Sequence, residues 1–390
     1  MKMLLTTRGA PGSGKSTWIR EHGLEPYTLC ADVIRTLIEG PVVDPESGKF
    51  EISQKNDNRV WKMLFELLEE RMSRGELCVV DACHSKFQEF ARYKNLVAQY
   101  GYRVYCIDFT DVPIETCMKQ NLSRLEYKQV SREVLERIYS RFATQEPQSF
   151  VKMISHSDEE QVQKLLHSWE PKDLSSYERV VVFGDIHGCF DALQAHFKQH
   201  PLSESTFYLF TGDYIDRGIQ NREVVQWLLE NYEKPNVALL EGNHEKWLRE
   251  FAEGRYEGCA SFKCKSSEFA THTMPQLAEF DKKKLRQLCR KLWTVAKFKF
   301  DGQEFLVTHA GVGAVPDSVP LISAKTFIRG GKYEDPIDEW YEQKWKEGMP
   351  IQIHGHRNIE HIEAGKFPHS INLCSEVEFG EPLRVVILAH

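Results

Sequence analysis

The chain has 390 residues, 41% of them hydrophobic and 27% charged, with a formal net charge of −7. That length exceeds what one core usually organises and points to two or three domains. The composition is that of ordinary globular protein, and the acidic balance excludes a generally basic nucleic-acid binder, so any contact with nucleic acid must use local basic grooves.

The ten cysteines show no paired metal-type spacing; the nearest couples, Cys78 with Cys83 and Cys259 with Cys264, are each five positions apart, wider than a zinc site's usual pair. Scattered single cysteines fit a reducing compartment. The start carries no long apolar stretch and no run approaches a membrane span, so a cytoplasmic protein without a membrane partner is expected.

In chain order, the short apolar run "MKMLLTT" reads as a strand and leads into "RGAPGSGKSTWIRE", Arg8 to Glu21. Gly9, Gly12 and Gly14 let the backbone curl until its N–H groups face an anion. Lys15 supplies a point charge for the β and γ phosphates, Ser16 a hydroxyl for Mg²⁺, and the following helix its positive N-terminus. Gly12, Ser13, Gly14, Lys15, Ser16 and Thr17 are therefore the expected ATP·Mg²⁺ cradle.

"LCADVIRTL" follows, with Asp32 and Arg35 about one helical turn apart. Asp32 is a candidate general base for an acceptor hydroxyl, and Arg35 a candidate grip on a phosphate that the acceptor itself carries. An Asp near a helix start is also common without any chemistry. "KNDNRVWKMLFELLEERM" and "SREVLERIYSRF" carry helical periodicity, while "LCVVDA" and "YRVYCIDF" read as strands, an alternation that predicts a parallel sheet covered by helices. Between them Pro113 starts a helix, and Arg124 lies in a polar segment that could fold over the nucleotide and counter charge on the transferring phosphoryl group.

"EPKDLSSYER" is polar and reads as a linker over residues 170–178, separating a first domain, 1–169, from a second, 179–390. The second opens on the strand "VVVF". Five motifs then fall where apolar strands run out into loops: "GDIHG", "LFTGDYIDRG", "LLEGNHE", "LVTHAG" and "IQIHGHRN". Their Asp, His and Asn side chains suit hard or borderline divalent metals. A lone histidine at a strand end is more often structural, but five motifs in one order outweigh that reading.

This set resembles the calcineurin-like metallophosphoesterases. The resemblance implies an α/β sandwich in which Asp185 and His187 bind one metal, Asp213 bridges, and Asn243, His309 and His356 bind the other, with Mn²⁺ the expected ion. It places Arg217 as a phosphate grip and His244, oriented by Asp216, as the acid that protonates the leaving oxygen. Arg329, in "FIRGG", is a further candidate phosphate clamp. Many relatives carry a second histidine two places after the last ligand, where this chain has Asn358.

The first domain resembles the 5′-hydroxyl polynucleotide kinases of phage and bacterial repair, on the phosphate loop followed by Trp18, the Asp32–Arg35 pair, the strand ending at Asp81, the "DVP" step and the lid. Where those kinases often carry Thr-Asn after the carboxylate, this chain has Cys83 and His84 in the region. The two domains together resemble a polynucleotide kinase-phosphatase without a ligase domain. That implies RNA or DNA strand ends as substrates, a 5′ end phosphorylated by ATP, a 3′-, 2′- or 2′,3′-cyclic phosphate removed, and a nucleic-acid ligase acting afterwards. The alternatives are a small-molecule or tRNA-linked kinase joined to a protein phosphatase or dinucleoside-polyphosphate hydrolase, or a P-loop regulator of a metallophosphatase.

Overall fold

The computed structural model describes residues 2–43, 45, 48, 50–53, 55–143, 148–166, 171–255, 268–315, 322–357 and 366–390. It divides into two compact units, Lys2–Ser168 and one running from Trp169 to His390.

In the first unit the strands are β1 (Met3–Arg8), β2 (Thr28–Cys30), β3 (Val42–Val43), β4 (Phe50–Glu51), β5 (Cys78–Asp81), β6 (Arg103–Asp108) and β7 (Val151–Ser155). Five of them form a sheet in the order β2-β5-β1-β6-β7, every pairing parallel. A strand with parallel neighbours on both sides is shielded from water along its length; "MLLTTR" in β1 is buried at every position, the polar Thr6, Thr7 and Arg8 included. The helix Asp57–Ser73 covers one face with Val60, Leu64, Leu68 and Met72, a spacing of four that keeps them on one stripe. The helix Arg132–Phe142 starts where Ser131 accepts the Val134 N–H and so caps it. The β3–β4 hairpin, antiparallel and exposed, is an element the sequence pattern does not announce.

The second unit contributes β8 (Lys172–Asp173), β9 (Arg179–Phe183), β10 (Thr206–Phe210), β11 (Val237–Leu239), β12 (Val295–Phe300), β13 (Gln303–Thr308), β14 (Ile351–His354), β15 (Ser370–Asn372) and β16 (Val385–Ala389). They make a four-stranded sheet, β11-β10-β9-β16, and a five-stranded one, β15-β14-β13-β12-β8. Alternation along β9 explains the layering. Val180 and Val182 join Phe207, Leu209, Phe298, Phe305, Val307 and Ile353 in one core. Val181 and Phe183 join Tyr208, Phe210, Val224, Leu228 and Leu248 in another, which includes helix residues. The result is a two-sheet sandwich with helices packed on its outside.

The polar stretch expected to be a linker is only partly so. Lys172–Asp173 adds as β8 to the edge of the five-stranded sheet, parallel to β12, and Leu174 is buried in the inter-sheet core. An edge strand needs only backbone hydrogen bonds on one side, so its side chains can stay polar and leave no apolar signal in the sequence.

Candidate functional site

Five strand ends of the second unit converge. Beyond β9 lie Asp185 and His187, beyond β10 Asp213, beyond β11 Asn243 and His244, beyond β13 His309, and beyond β14 His356. Two groups of potential ligand atoms share the Asp213 carboxylate: His187, Asp213 and His244 form one, and Asp213, His309 and His356 the other, with the atoms of each group within 4.8 Å of one another. Asp213 Oδ2 lies 3.6 Å from His187 Nε2 and 3.2 Å from His309 Nε2. Asn243 Oδ1 is 3.2 Å from the same His309 nitrogen. Asp185 sits beside the second group, its Oδ2 accepting the His356 backbone N–H at 2.8 Å and its Oδ1 3.8 Å from His309 Nδ1. Gly355 permits that approach, since a Cβ there would stand 2.1 Å from Asp185 Oδ1.

The donor set fits a pair of divalent cations. Carboxylate, imidazole and amide oxygen suit Mn²⁺-like ions, and one carboxylate common to both groups is what a bridged pair requires. The ring orientations agree: His187 Nδ1 faces the Ile215 carbonyl at 3.2 Å and His309 Nδ1 the Thr211 carbonyl at 3.1 Å, which leaves each Nε2 turned toward Asp213. A ligating histidine typically anchors its second nitrogen this way.

The backbone is strained here as well. Of the non-glycine residues with left-handed φ among those described, His187, Asp213, Asp216, Arg217 and His356 all belong to this cluster. Such conformations cost about 1–3 kcal/mol each and persist where surrounding structure enforces them.

Electrostatics follow the two buried carboxylates. Burial works against charging His309, but Asp213 and Asp185 outweigh it and push the imidazole up to about 9. Burial likewise opposes charge on His244, which Asp213 and Asp216 raise to about 9. His356 goes the other way, to about 3, through burial and the neighbouring His309 charge. Burial also opposes ionisation of Asp213, yet the surrounding histidines hold it well below the usual carboxylate range. A cation on these atoms competes with the protons.

His244 Nδ1 is 2.6 Å from Asp216 Oδ2, and Asp216 is itself held by the Thr273 hydroxyl and the Asn221 side chain. Arg217 is exposed at the rim, paired through Nη1 with the buried Glu378 at 2.7 Å. Arg329 is exposed at the end of the helix Ala324–Arg329. His354 is buried against Asp338, with Nε2 to Oδ1 at 2.8 Å.

Sequence reasoning missed two supports of this centre. Glu245 is fully buried, and its Oε2 accepts the Asp213 and Gly242 N–H groups at 3.0 and 2.7 Å while Oε1 accepts that of Tyr214 at 2.9 Å. One side chain thus ties the "GDYID" loop to the "EGNHE" loop. Its trace in the sequence is the closing residue of the "LLEGNHE" motif, whose bond to the "GDYID" loop no spacing announces. Glu378 comes from a distant segment with no motif at all. Between the "LLEGNHE" and "LVTHAG" motifs, residues 256–267, with Cys259 and Cys264, lie outside the described residues, as does Asn358. Just after that segment Glu268 accepts the Arg217 backbone N–H at 2.8 Å.

In the first unit the loop after β1 closes around Lys15, whose Nζ donates to the Gly9 and Ala10 carbonyls at 3.0 and 2.8 Å. Ser13 is buried, Gly14 begins the helix Lys15–Glu21 with φ 96°, and Ser16 and Thr17 are exposed in its first turn. Ser16 Oγ donates to Asp81 Oδ2 at 2.7 Å, and Thr7 to Asp81 Oδ1 at 3.0 Å, so the carboxylate after β5 stands beside the candidate Mg²⁺ hydroxyl. Register brings the next strand into line: Cys30 pairs with Asp81, and Asp32 follows two residues on. Arg35 Nη1 donates to Asp32 Oδ1 at 2.6 Å and Nε to Asp57 Oδ1 at 2.8 Å; Arg124 Nη2 lies 4.0 Å from Asp32 Oδ2. Asp57 is an unforeseen partner, so Arg35 is held by two carboxylates. His84 does not stand in for an acceptor-facing amide. It is buried, with Nδ1 2.6 Å from the Thr7 carbonyl and Nε2 2.9 Å from the Tyr93 hydroxyl.

Among the described residues no helix is long and apolar enough to cross a membrane. Residues 4–145 match the AAA domain family, and residues 178–390 match the calcineurin-like phosphoesterase family, whose members use divalent metals. The bis(5′-nucleosyl)-tetraphosphatase PrpE [asymmetrical] of Bacillus subtilis is 25% identical over 226 residues, 52% of this chain and 87% of its own length. A protein serine/threonine phosphatase structure from Saccharomyces cerevisiae is 17% identical, covering 49% of this chain and 63% of that one at a TM-score of 0.33. A metallophosphoesterase structure from Sphaerobacter thermophilus is 18% identical, with 46% and 60% covered at a TM-score of 0.30. With more than half of its length matched, the chain belongs to the calcineurin-like phosphoesterase family, its phosphoesterase domain preceded by a P-loop, kinase-like AAA domain.

Proposed function

We propose that this protein heals broken nucleic-acid ends, phosphorylating a 5′-hydroxyl with ATP and removing a 3′-phosphate, 2′-phosphate or 2′,3′-cyclic phosphate. The observation that carries the reading is the meeting of Asp32, Arg35 and Arg124 next to Asp81 and Ser16, with Arg124 4.0 Å and Arg35 2.6 Å from the Asp32 carboxylate. A phosphate loop that only senses a nucleotide has no use for a carboxylate flanked by two guanidinium groups.

In the first domain the Asp32 carboxylate takes the proton of the attacking hydroxyl. Lys15 and Arg124 counter the charge that spreads over the transferring phosphoryl oxygens. Arg35, held by Asp57 as well, steers a phosphate of the acceptor strand. Ser16 and Asp81 would hold Mg²⁺.

In the second domain Asp185, His187, Asp213, Asn243, His309 and His356 would hold two divalent cations, which when bound supply Lewis-acid stabilisation and a more acidic water. Arg217 exchanges its bond to Glu378 for the substrate phosphate. His244, kept in orientation by Asp216, gives its proton to the leaving ribose oxygen.

The relative named as a bis(5′-nucleosyl)-tetraphosphatase favours a second reading of this domain alone, hydrolysis of dinucleoside tetraphosphates. One assay separates the two. Single-stranded RNA with a 5′-hydroxyl and a 2′,3′-cyclic phosphate is incubated with ATP, Mg²⁺ and Mn²⁺, both ends are followed, and diadenosine tetraphosphate is run in parallel. End healing predicts gain of 5′-phosphate blocked only by Lys15→Ala and loss of the 3′-terminal phosphate blocked only by Asp213→Ala. Cleavage of the dinucleotide with neither end of the RNA altered would refute it.

A further inference from the structure

The helix Phe190–Gln199 leaves the "GDIHG" loop and ends on a pair of histidines, His196 in its last turn and His200 at its C-cap. Four positions apart, they lie on one face of the helix, with ring centroids 5.1 Å apart and planes at 42°. The chemistry proposed above does not use them. Both line a cavity of about 250 Å³ whose walls include Arg179 at the start of β9, Thr206 at the start of β10, and Tyr208. The catalytic cluster gathers beyond the other ends of those strands, and the five residues of β9 span about 13 Å.

The spacing of the two rings matches a shared ion. A nitrogen about 2.0–2.1 Å from Zn²⁺ sets its ring centre about 3.2 Å from the ion, so two rings at a tetrahedral angle have centres about 5.2 Å apart. His196 is held in place by Phe183, whose ring lies 4.8 Å away and nearly perpendicular, at 80°. Its Nε2 is buried and has no hydrogen-bond partner among the described residues. A buried polar atom left unpaired needs an explanation, and a bound ion is one. The helix end adds to this, since its last carbonyls carry partial negative charge that favours a cation and disfavours an anion. Glu178 and Arg179 also border the cavity, with opposite charges on adjacent residues, and Glu178 Oε2 accepts the Ser205 hydroxyl at 2.8 Å.

We propose that His196 and His200 form a further metal site, separate from the catalytic cluster, which takes a borderline divalent ion of the Zn²⁺ type with water completing its coordination. Imidazole ligands suit Zn²⁺, Ni²⁺ or Cu²⁺, whereas Mg²⁺ and Ca²⁺ call for oxygen. An ion there pins the last turn of the helix that leads out of the loop carrying Asp185 and His187. The site is independent of which phosphoester the catalytic cluster hydrolyses.

The test counts metal in the full-length protein. Wild type, His200→Gln, His196→Gln, Asp213→Asn and the double variant Asp213→Asn with His200→Gln are stripped with chelator and dialysed against micromolar Zn²⁺. Elemental mass spectrometry then gives the ions held per chain. Each histidine variant should hold one Zn²⁺ fewer than wild type, and the double variant one fewer than Asp213→Asn alone. His200 is exposed, so its replacement disturbs no packing and decides the matter even where His196→Gln does not fold. Cu²⁺ bound to Asp213→Asn should show nitrogen couplings by electron paramagnetic resonance that the double variant loses.

Equal Zn²⁺ content in wild type and His200→Gln would overturn the proposal. So would a loss of Zn²⁺ on replacing His200 that is seen only when Asp213 is intact, because the missing ion would then belong to the catalytic cluster.

Discussion

Glu245→Gln is expected to destabilise the phosphoesterase domain by an amount that its hydrogen bonds allow to be worked out. The carboxylate serves three buried N–H groups, Oε2 two of them and Oε1 one. A glutamine has one acceptor oxygen. Placed at the Oε2 position it keeps Asp213 and Gly242, and its amide nitrogen then faces the Tyr214 N–H, donor against donor. An orphaned buried donor costs about 1–3 kcal/mol. The two bonds that remain lose their charge assistance, which removes roughly half of their strength. The sum is about 2.5–6 kcal/mol, a fall in Tm of roughly 5–25 °C for a domain of this size. Glu245→Ala orphans all three donors at about 3–9 kcal/mol, comparable with the whole stability of a domain, and should not accumulate folded.

Scanning calorimetry of the full chain reads this directly, the second domain's transition being the one that Mn²⁺ shifts. Since Glu245 holds the backbone of Asp213 and of the Asn243 loop, Mn²⁺ affinity should fall by about 10- to 100-fold as well, the usual cost of disturbing a ligand's support. A glutamine variant within about 0.5 kcal/mol of wild type, with unchanged Mn²⁺ affinity, would show that Glu245 does not hold the two loops together.

Mn²⁺ at about 100 times its dissociation constant should stabilise the second domain by about 2.7 kcal/mol, and thermal melts of Asp213→Asn should lose that increment. Glu241 and Arg249 are paired at 2.8 Å, both nearly buried; Glu241→Ala should cost about 3–5 kcal/mol by stranding the guanidinium. The double replacement Glu241→Met with Arg249→Met should recover most of that loss in urea denaturation. Burial, opposed by the Thr7 carbonyl, keeps the His84 pKa below its ordinary value. The unfolded state therefore binds the extra proton first, and stability is lost as pH falls from about 6.5 toward the depressed value, with a slope of at most about 1.4 kcal/mol per pH unit. Hydrogen exchange of the Met3–Arg8 amides in wild type and His84→Gln, compared between pH 8 and 5.5, should show that slope in wild type alone.

Much of the architecture was legible because the signals are local. A phosphate loop needs contiguous residues, and the alternation of "VVVF" into two opposite cores needs only the two-residue period of a strand. The metal-type side chains could be read one motif at a time, since each occupies a strand end and a strand end leaves an apolar run behind it. The edge strand Lys172–Asp173 escaped because backbone pairing makes no demand on side-chain type. The β3–β4 hairpin escaped for a related reason, two residues per strand being too short to carry a period.

What the sequence by itself determined was the order of motifs, the division between a phosphate-loop half and a phosphoesterase half, and the residue types for each chemistry. Only the tertiary structure decided which residues support those chemistries. Asp57 holds Arg35 across 22 positions, Glu378 holds Arg217 across 161, and Glu245 joins two loops through three backbone donors. His84, a polar residue, turned out to be an interior strut. The physical reason is common to all of them: a buried polar group is defined by the partner that satisfies it, and that partner is set by how the chain folds back, which no spacing along the sequence records.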